Sequence, residues 1–356
     1  MTSVSQQSSA ESDHKRTPEL PIRTTPRPNC DLCGASGKTV YRHLADRLFA
    51  TPGEWELRQC TSADCNLIWL DPLPIAEDLD RLYADYYTHV AETAGGSVPF
   101  YRDLKSEILR SVFGYQSAAC KPVGRVWCRL GLIRDIVGGE VTYLHARPGA
   151  RLLDVGCGNG QFLAHMRDLG WDVVGIDPDP KAVHIARERF QLEVRHGTLE
   201  RAVIDAESFD AVTLRHVIEH VPDPVGLLRA CRRLLNPQGR LVVVTPNHLS
   251  LGRRVCGREW IGWDSPRHLF VFSPRVLCRV AQAAGLNIEQ VRTTANGARF
   301  IWHVYRLLRR APASRPGIHQ RVPRQFFIEG ILFWVIEYLM LRAAPLGEEV
   351  VMLAQR

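Results

Sequence analysis

The stretch Leu152–Gly160, which reads LLDVGCGNG, decides the fold of this chain. A short apolar run is followed by three glycines at alternate positions, Gly156, Gly158 and Gly160. Glycine lets a backbone turn tightly and approach another group closely. Helical spacing of apolar residues follows directly, from position 161 to position 169. The stretch therefore predicts a buried strand, a glycine loop and a helix, in that order.

A second strand is predicted at 172–176 and ends at Asp177 and Pro178. In doubly wound α/β folds, a carboxylate at the end of the second strand accepts hydrogen bonds from ribose hydroxyls. A dinucleotide-binding loop has its third glycine one position later, and Asp154 would repel a pyrophosphate. The Asp154 carboxylate suits S-adenosylmethionine instead, because that ligand carries a sulfonium and an ammonium group. A strand–helix turn without any ligand stays open as the alternative.

Strands and helices go on alternating after this unit. Such alternation predicts parallel strands joined by right-handed helical crossovers, and LVVV at 241–244 has the continuous apolar character of a strand buried on both faces. The predicted strands are 152–155, 172–176, 192–195, 209–214 and 240–245, and the predicted helices are 161–169, 181–190 and 224–235.

Three segments together resemble the class I S-adenosylmethionine-dependent methyltransferases: LLDVGCGNGQFL, VVGIDPDP and FDAVTLRHVIEHVPDPVGLLRACRRLLNPQGRLVVVTPN. The resemblance is strongest to ubiquinone-biosynthesis O-methyltransferases and bacterial sugar methyltransferases. It implies a doubly wound, seven-stranded Rossmann-like sheet whose antiparallel last strand lies at 348–354. It also implies a set of cofactor-binding residues: Asp154, Gly156, Cys157, Gly158 and Gly160 around the methionine part, Asp177 and Pro178 at the ribose, and Thr198 and Leu199 beside the adenine.

Two close cysteine pairs lie nearer the N-terminus, Cys30 with Cys33 and Cys60 with Cys65. Four thiolates from two paired turns hold a structural zinc ion tetrahedrally. The second pair is spaced more widely than a usual zinc knuckle, and four incidental buried cysteines are the alternative. The whole unit resembles the zinc-binding leader of methyltransferases from polysaccharide, lipid and natural-product sugar pathways. That resemblance implies a structural Zn²⁺.

A candidate catalytic group follows the fourth strand, where His216, Glu219 and His220 occur together. Methyl transfer to a hydroxyl or an acidic carbon needs a base, and histidine titrates near neutral pH. By resemblance to sugar C-methyltransferases, the Glu219–His220 pair is the predicted base. Each histidine could instead be a hydrogen-bonded structural residue.

A candidate acceptor-binding loop follows the fifth strand. Aromatic faces pack on sugar rings and arginine binds phosphate, although the loop could simply cap the core. Its residues are Trp260, Trp263, Asp264, Arg267 and His268. From His248 to Glu329 the chain has 14 Arg and no Lys. This excess favours an anionic acceptor or an anionic membrane surface, while a solvated basic face remains open.

The predicted organisation is a disordered tail at 1–27, a zinc ribbon at 28–74, a partly helical connection at 75–148 and a methyltransferase domain at 149–356. An acceptor-binding insertion is placed at about 248–345. The first residues have no apolar core and do not read as a signal peptide. Ten cysteines in such a chain indicate a reducing compartment, and we expect a cytoplasmic protein.

The apolar segment FFIEGILFWVIEYLMLRAA at 326–344 predicts a helix that is buried or forms a homodimer, with peripheral membrane contact as the minority alternative. The leading function is methylation of a hydroxyl or carbon of a small molecule: a sugar, a nucleotide sugar or a lipid-linked intermediate. One rival is a zinc-ribbon RNA methyltransferase, disfavoured because the basic residues lack interleaved aromatics. The other rival is a non-catalytic scaffold that binds S-adenosylmethionine.

Overall fold

The structure is a computed structural model that describes residues 21–83, 99–116, 130–202, 204–310, 323–341 and 343–356. The strands, in chain order, are β1 (Thr24–Thr25), β2 (Gly37–Leu44), β3 (Trp55–Cys60), β4 (Ile68–Asp71), β5 (Leu73–Pro74), β6 (Arg151–Val155), β7 (Asp172–Asp177), β8 (Glu193–His196), β9 (Phe209–Arg215), β10 (Leu235–Pro246), β11 (Phe270–Val271), β12 (Asn287–Thr294) and β13 (Glu349–Gln355).

The helices are α1 (Pro99–Ser111), α2 (Gly131–Glu140), α3 (Gln161–Asp168), α4 (Pro180–Phe190), α5 (Pro224–Leu234), α6 (Leu251–Cys256), α7 (Pro274–Ala283), α8 (Ala298–Arg310) and α9 (Arg324–Met340). Their starts follow local chemistry. The Asp179 side chain caps α4 by accepting from the Lys181 amide at 2.9 Å, and Ser273 with the proline after it begins α7.

The central sheet has seven strands in the order β12-β13-β10-β9-β6-β7-β8. Strands β6 to β10 pair in parallel, whereas β13 is antiparallel to both β10 and β12. This confirms the predicted doubly wound α/β fold with its antiparallel last strand. Parallel strands place their carboxyl ends along one edge of the sheet, where open α/β sheets bind their ligands. We call it the carboxyl edge.

Two boundaries differ from the predicted organisation. The segment 248–345, predicted as an insertion, contains β12, which is a strand of the central sheet. Strand β12 lies at the edge of the sheet, so its sequence NIEQVRTT is polar and half-exposed and lacks the continuous apolar pattern of a central strand. The predicted disordered tail extends too far, since β1 pairs with β5 and Arg23 binds Asp78. Within the connection predicted to be partly helical, Ala76–Tyr83 forms a 3-10 helix, and residues 84–98 lie outside the described residues.

The N-terminal module, β1 to β5 with the 3-10 helix Ala76–Tyr83, is joined to the larger domain by pairing of strands. Its sheet has the order β11-β4-β3-β2, so that a strand from the larger domain forms one edge. Side chains of the module, including Trp55 and Trp69, share one hydrophobic cluster with Leu214 and Phe272. Burial of this shared apolar surface fixes the module beside the carboxyl edge.

Helices α8 and α9 lie between β12 and β13 and pack against each other. Helix α9 is predominantly apolar, and its described polar side chains include Gln325, Glu329 and Glu337. Among the described residues, no helix is both long and apolar enough to cross a lipid bilayer.

Candidate functional site at the carboxyl edge

Asp177 ties the glycine loop to the end of β7. Its carboxylate accepts from the amide of Gly158 at 2.7 Å and from the amide of Asp179 at 2.9 Å. Burial raises the pKa of Asp177 above the usual value, while the two amides oppose that rise. The carboxylate therefore shapes the loop as well as facing any ligand that lies on it.

The three glycines of the loop all have positive φ, but they are needed for different reasons. A Cβ on Gly156 would collide with Val217, and one on Gly160 would lie 2.7 Å from Leu192 and 2.8 Å from Ala186. A Cβ on Gly158 would meet no protein atom within 4 Å. The first and third glycines thus permit close packing, and the second borders open space. The open space at Gly158 lies next to the buried carboxylate of Asp177.

Asp154 lies at the base of the same loop and is almost fully buried. It accepts a hydrogen bond from the Thr213 hydroxyl at 2.6 Å. Burial raises the pKa of Asp154 to about 6, although nearby Arg215 lowers it. A cationic ligand on the loop would favour the ionised form of this carboxyl.

His216 has a left-handed backbone, with φ of 55°, so His216 and His220 do not share one face of a helical turn. Its Nδ1 lies 3.3 Å from Glu219 Oε1, and its Nε2 lies 3.3 Å from Glu349 Oε1. Burial alone would lower the pKa of His216, but these two carboxylates raise it to about 10. An imidazolium has no lone pair to accept a proton, which speaks against His216 as the base.

Glu219 is fully buried and uses both of its oxygens. One oxygen binds His216, and the other accepts from the Thr245 hydroxyl at 2.9 Å. Burial alone would raise the pKa of Glu219, but the His216 hydrogen bond lowers it to about 2. Glu219 therefore orients His216, whereas the resemblance implies that it acts together with His220.

His220 is held through a single ring nitrogen. Its Nδ1 lies 3.0 Å from the carbonyl oxygen of Arg267 and 2.9 Å from the hydroxyl of Tyr83. The carbonyl can only accept, so Nδ1 carries the proton and Nε2 keeps the lone pair. Burial and the neighbouring His268 ring lower the pKa of His220 to about 4. His220 is thus a neutral imidazole at physiological pH.

The two halves of the site are adjacent. His220 follows β9, which pairs directly with β6, the strand that leads into the glycine loop. The Val217 side chain packs over Gly156. The neutral imidazole thus follows the strand that pairs with the one leading into the glycine loop.

Comparison with known proteins agrees with this geometry. Residues 133–291 match a family model described as a methyltransferase domain. A ubiquinone biosynthesis O-methyltransferase from Cereibacter sphaeroides is 38% identical over 145 residues, which are 38% of this chain and 59% of that protein. Its namesake from Xanthomonas axonopodis pv. citri is 38% identical over 167 residues, 43% of this chain and 70% of that protein.

The chain belongs to the class I S-adenosylmethionine-dependent methyltransferases. This confirms the family predicted from the motifs. An S-adenosylmethionine dependent methyltransferase of known structure from Mesorhizobium loti is 16% identical, with a TM-score of 0.44, over 62% of this chain and 97% of that chain.

The remaining predicted cofactor residues of this methyltransferase fall into two groups. Pro178 and Thr198 are exposed near the end of β7 and after β8, so both are accessible to a ligand. Cys157 and Leu199 are buried in the core, with the Cys157 sulfur turned toward Gly175. Only the backbone of these two residues can face a ligand.

The predicted acceptor loop of the methyltransferase is largely a packing element. Trp260 is fully buried, and its indole donates to Glu348 at 2.9 Å. Arg267 is also fully buried and bridges Asp264 and Asp46, the latter at 2.7 Å. Burial alone would lower the pKa of Arg267, but these two carboxylates raise it above its usual value. Arg267 thus locks the N-terminal module in place, and its guanidinium is not available to an acceptor phosphate.

The other loop residues are equally enclosed. Trp263 packs edge-on against Tyr41, at 5.5 Å between ring centroids. His268 Nδ1 lies 2.8 Å from the carbonyl oxygen of Gly262. Donor atoms of Glu219, His220 and His268 lie within 4.8 Å of one another, close enough for a metal ion. His216 and the Thr245 hydroxyl engage the two oxygens of Glu219, and carbonyls engage both Nδ1 atoms, so the Nε2 atoms of His220 and His268 are the ones that could bind a proton or a metal ion.

The four predicted zinc ligands of the methyltransferase do come together. The Sγ atoms of Cys30 and Cys65 are 3.6 Å apart, and those of Cys33 and Cys60 are 3.4 Å apart. All four lie within 4.8 Å of one another. Tetrahedral coordination with Zn–S bonds of about 2.3 Å needs sulfur atoms roughly 3.8 Å apart. The donor set therefore fits a zinc ion.

Sequence reasoning missed Tyr83, Thr213, Thr245 and Glu349. The two threonines lie on strands, where the sequence pattern indicates only that their side chains are buried. Tyr83 is 137 positions from His220 in the chain, so no local sequence pattern predicts the contact between them.

Proposed function

We propose that this chain transfers the methyl group of S-adenosylmethionine to a hydroxyl oxygen of a small-molecule acceptor, with His220 as the general base. The neutral His220 imidazole, beside the glycine loop at the carboxyl edge, carries the proposal. Two relatives named as O-methyltransferases support oxygen as the acceptor atom. Sugars, nucleotide sugars and lipid-linked intermediates are the acceptor classes that we propose.

The chain's residues divide the work. Asp154, Gly158 and Asp177 would hold S-adenosylmethionine, which when bound supplies an electrophilic methyl group on a sulfonium. Nε2 of His220 takes the proton of the acceptor hydroxyl while the new C–O bond forms and the C–S bond breaks. The Arg267 carbonyl and the Tyr83 hydroxyl hold the Nδ1 proton and so keep Nε2 free. A positioned general base contributes about 10² to 10⁴ in rate, and the contribution is largest when its pKa lies near the working pH.

We also propose that Cys30, Cys33, Cys60 and Cys65 hold a structural zinc ion. The four thiolates would close the coordination sphere and leave no position for a substrate. The zinc would maintain the two turns on which the N-terminal module is built, and through that module it would support Tyr83.

The acceptor and the base can be tested together. Full-length protein is incubated with methyl-labelled S-adenosylmethionine and a small-molecule extract of its own cells, and the labelled product is identified. His220→Ala should lower product formation by about 10²-fold or more while S-adenosylmethionine binds as in wild type. The matched control is His184→Ala, which removes an exposed histidine from α4. Wild-type turnover by His220→Ala would refute the assignment of the base.

A further inference from the structure

Arg215 is the last residue of β9 and lies at the carboxyl edge beside the glycine loop. Thr213, two positions earlier on this strand, donates its hydroxyl to Asp154 at 2.6 Å. Because side chains two apart in a strand lie on one face, Arg215 shares that face and is one step nearer the carboxyl edge. Its Cζ is 4.5 Å from the ring centroid of Phe162, in the first turn of α3. Arg215 is therefore held over the start of the helix that follows the glycine loop.

The guanidinium of Arg215 is partly buried and has donors to spare. Among the residues that the structure describes, no carboxylate or carbonyl accepts a hydrogen bond from this guanidinium, and its partner is the Phe162 ring. A guanidinium carries five N–H donors and no acceptor. Charged groups that are partly removed from water are normally paired. The N–H groups of Arg215 are therefore available to an anion that binds at the carboxyl edge.

Asp154 supplies the opposite charge close by. Burial raises the pKa of Asp154, and Arg215 is the leading group that lowers it, so the two side chains lie near each other. Within the described part of the chain, however, the Asp154 carboxylate is bound by the Thr213 hydroxyl and forms no ion pair with Arg215. One face of the sheet thus presents a separate negative group and positive group at the base of the glycine loop. The amino-acid end of S-adenosylmethionine carries the complementary pair, an ammonium and a carboxylate on one carbon.

We infer that Arg215 binds the α-carboxylate of S-adenosylmethionine, with Asp154 beside the α-ammonium. The inference rests on the proposed function, because it assigns a residue to the cofactor of that reaction. Arginine binds a carboxylate through two parallel N–H···O hydrogen bonds. The start of α3 also favours an anion, since the first amides of a helix carry partial positive charge. None of the cofactor residues predicted from the sequence has a positively charged side chain, so Arg215 supplies the cation that the carboxylate needs.

Calorimetric titration of the full-length protein with two ligands tests the inference. S-adenosylmethionine carries the carboxylate, whereas decarboxylated S-adenosylmethionine keeps the adenosine, the sulfonium and the ammonium but lacks it. Arg215→Met should raise the Kd for S-adenosylmethionine about tenfold or more, because it removes a charged hydrogen-bonding partner. The same substitution should not weaken binding of the decarboxylated ligand, which has no group for Arg215 to hold.

Arg151→Met is the matched control. Arg151 also lies over a phenylalanine ring, with its Cζ 4.9 Å from the centroid of Phe209, but at the start of β6 and so at the opposite edge of the sheet. This variant should bind both ligands as wild type does. Equal loss of affinity for both ligands in Arg215→Met would show a structural role and overturn the inference, as would wild-type affinity for S-adenosylmethionine in that variant. Folded wild type that binds neither ligand would overturn the proposed function together with this inference.

Discussion

His216 and His220 belong to the same turn, yet their surroundings give them opposite protonation states. Two carboxylates hold His216 as a cation, with its pKa raised to about 10. Burial beside His268 keeps His220 neutral, with its pKa lowered to about 4. Their positions along the chain do not distinguish them, because the deciding groups, Glu349 and the Arg267 carbonyl, come from distant segments. At the residue scale the sequence therefore predicts the candidates, and the packing selects among them.

Tyr83→Phe should lower turnover about fivefold and leave the KM for S-adenosylmethionine unchanged. The hydroxyl contributes one hydrogen bond to the Nδ1 side of His220, worth about 1 kcal/mol. Steady-state rates with the acceptor identified by labelling measure the effect. Tyr41→Phe, in the same module but against Trp263, is the control and should behave as wild type. A rise in KM with unchanged kcat would show that Tyr83 binds substrate instead of supporting His220.

At the element scale, α9 is attached to the sheet through two carboxyl groups. Glu337 of α9 and Glu348, just before β13, are both buried, and each has one oxygen without a hydrogen-bond partner. Burial raises the pKa of Glu348 to about 7, although hydrogen bonds from its neighbours lower it, and burial together with repulsion by Glu348 raises the pKa of Glu337 to about 10. At neutral pH the pair therefore retains at least one proton. The apolar character of α9 was predictable from the sequence, but this contact was not, because it joins residues from two separate elements.

The carboxyl pair should make stability depend on pH. Carboxyl groups whose pKa is raised in the folded state stabilise the fold at low pH, and this stability is lost as the pH rises through the folded-state values. The free energy of unfolding of wild type should therefore fall between pH 6 and pH 9. Glu337→Gln should reduce that fall by roughly 1 to 3 kcal/mol, since an amide cannot ionise.

Urea unfolding at pH 6 and pH 9 measures this difference. Glu329→Gln is the control on the same helix, because Glu329 is paired with Arg306 and only partly buried. An identical pH dependence in wild type and Glu337→Gln would contradict the shared proton.

At the scale of the whole molecule, the N-terminal module and the methyltransferase domain share one core. Several arginines that the sequence assigns to an anionic acceptor are contacts between them: Arg267 binds Asp46, and Arg275 binds Asp64. The strand, glycine loop and helix at 151–168 were predictable because local spacing specifies them. The docking of the module was not, since Arg267 and Asp46 are 221 positions apart and no local signal pairs them.

Loss of the metal should therefore affect the whole protein. Cys60→Ser should lower the zinc content from one ion per chain to none, and it should lower the Tm of the single thermal transition by several degrees. Elemental analysis and calorimetry measure both quantities. Cys278→Ser, which changes a solitary cysteine on α7, should keep its zinc. Full zinc content in Cys60→Ser would exclude the four-thiolate site.

The central claim is that the glycine loop and its two carboxylates bind S-adenosylmethionine, and calorimetric titration of the ligand-free full-length protein tests it most directly. Wild type should bind one equivalent. Gly158→Val should weaken binding about tenfold or more, because its side chain would occupy the open space above the loop. Gly170→Val strains a positive-φ glycine away from the loop and should bind as wild type. Wild-type affinity in Gly158→Val, or no heat from the folded wild type, would contradict the account.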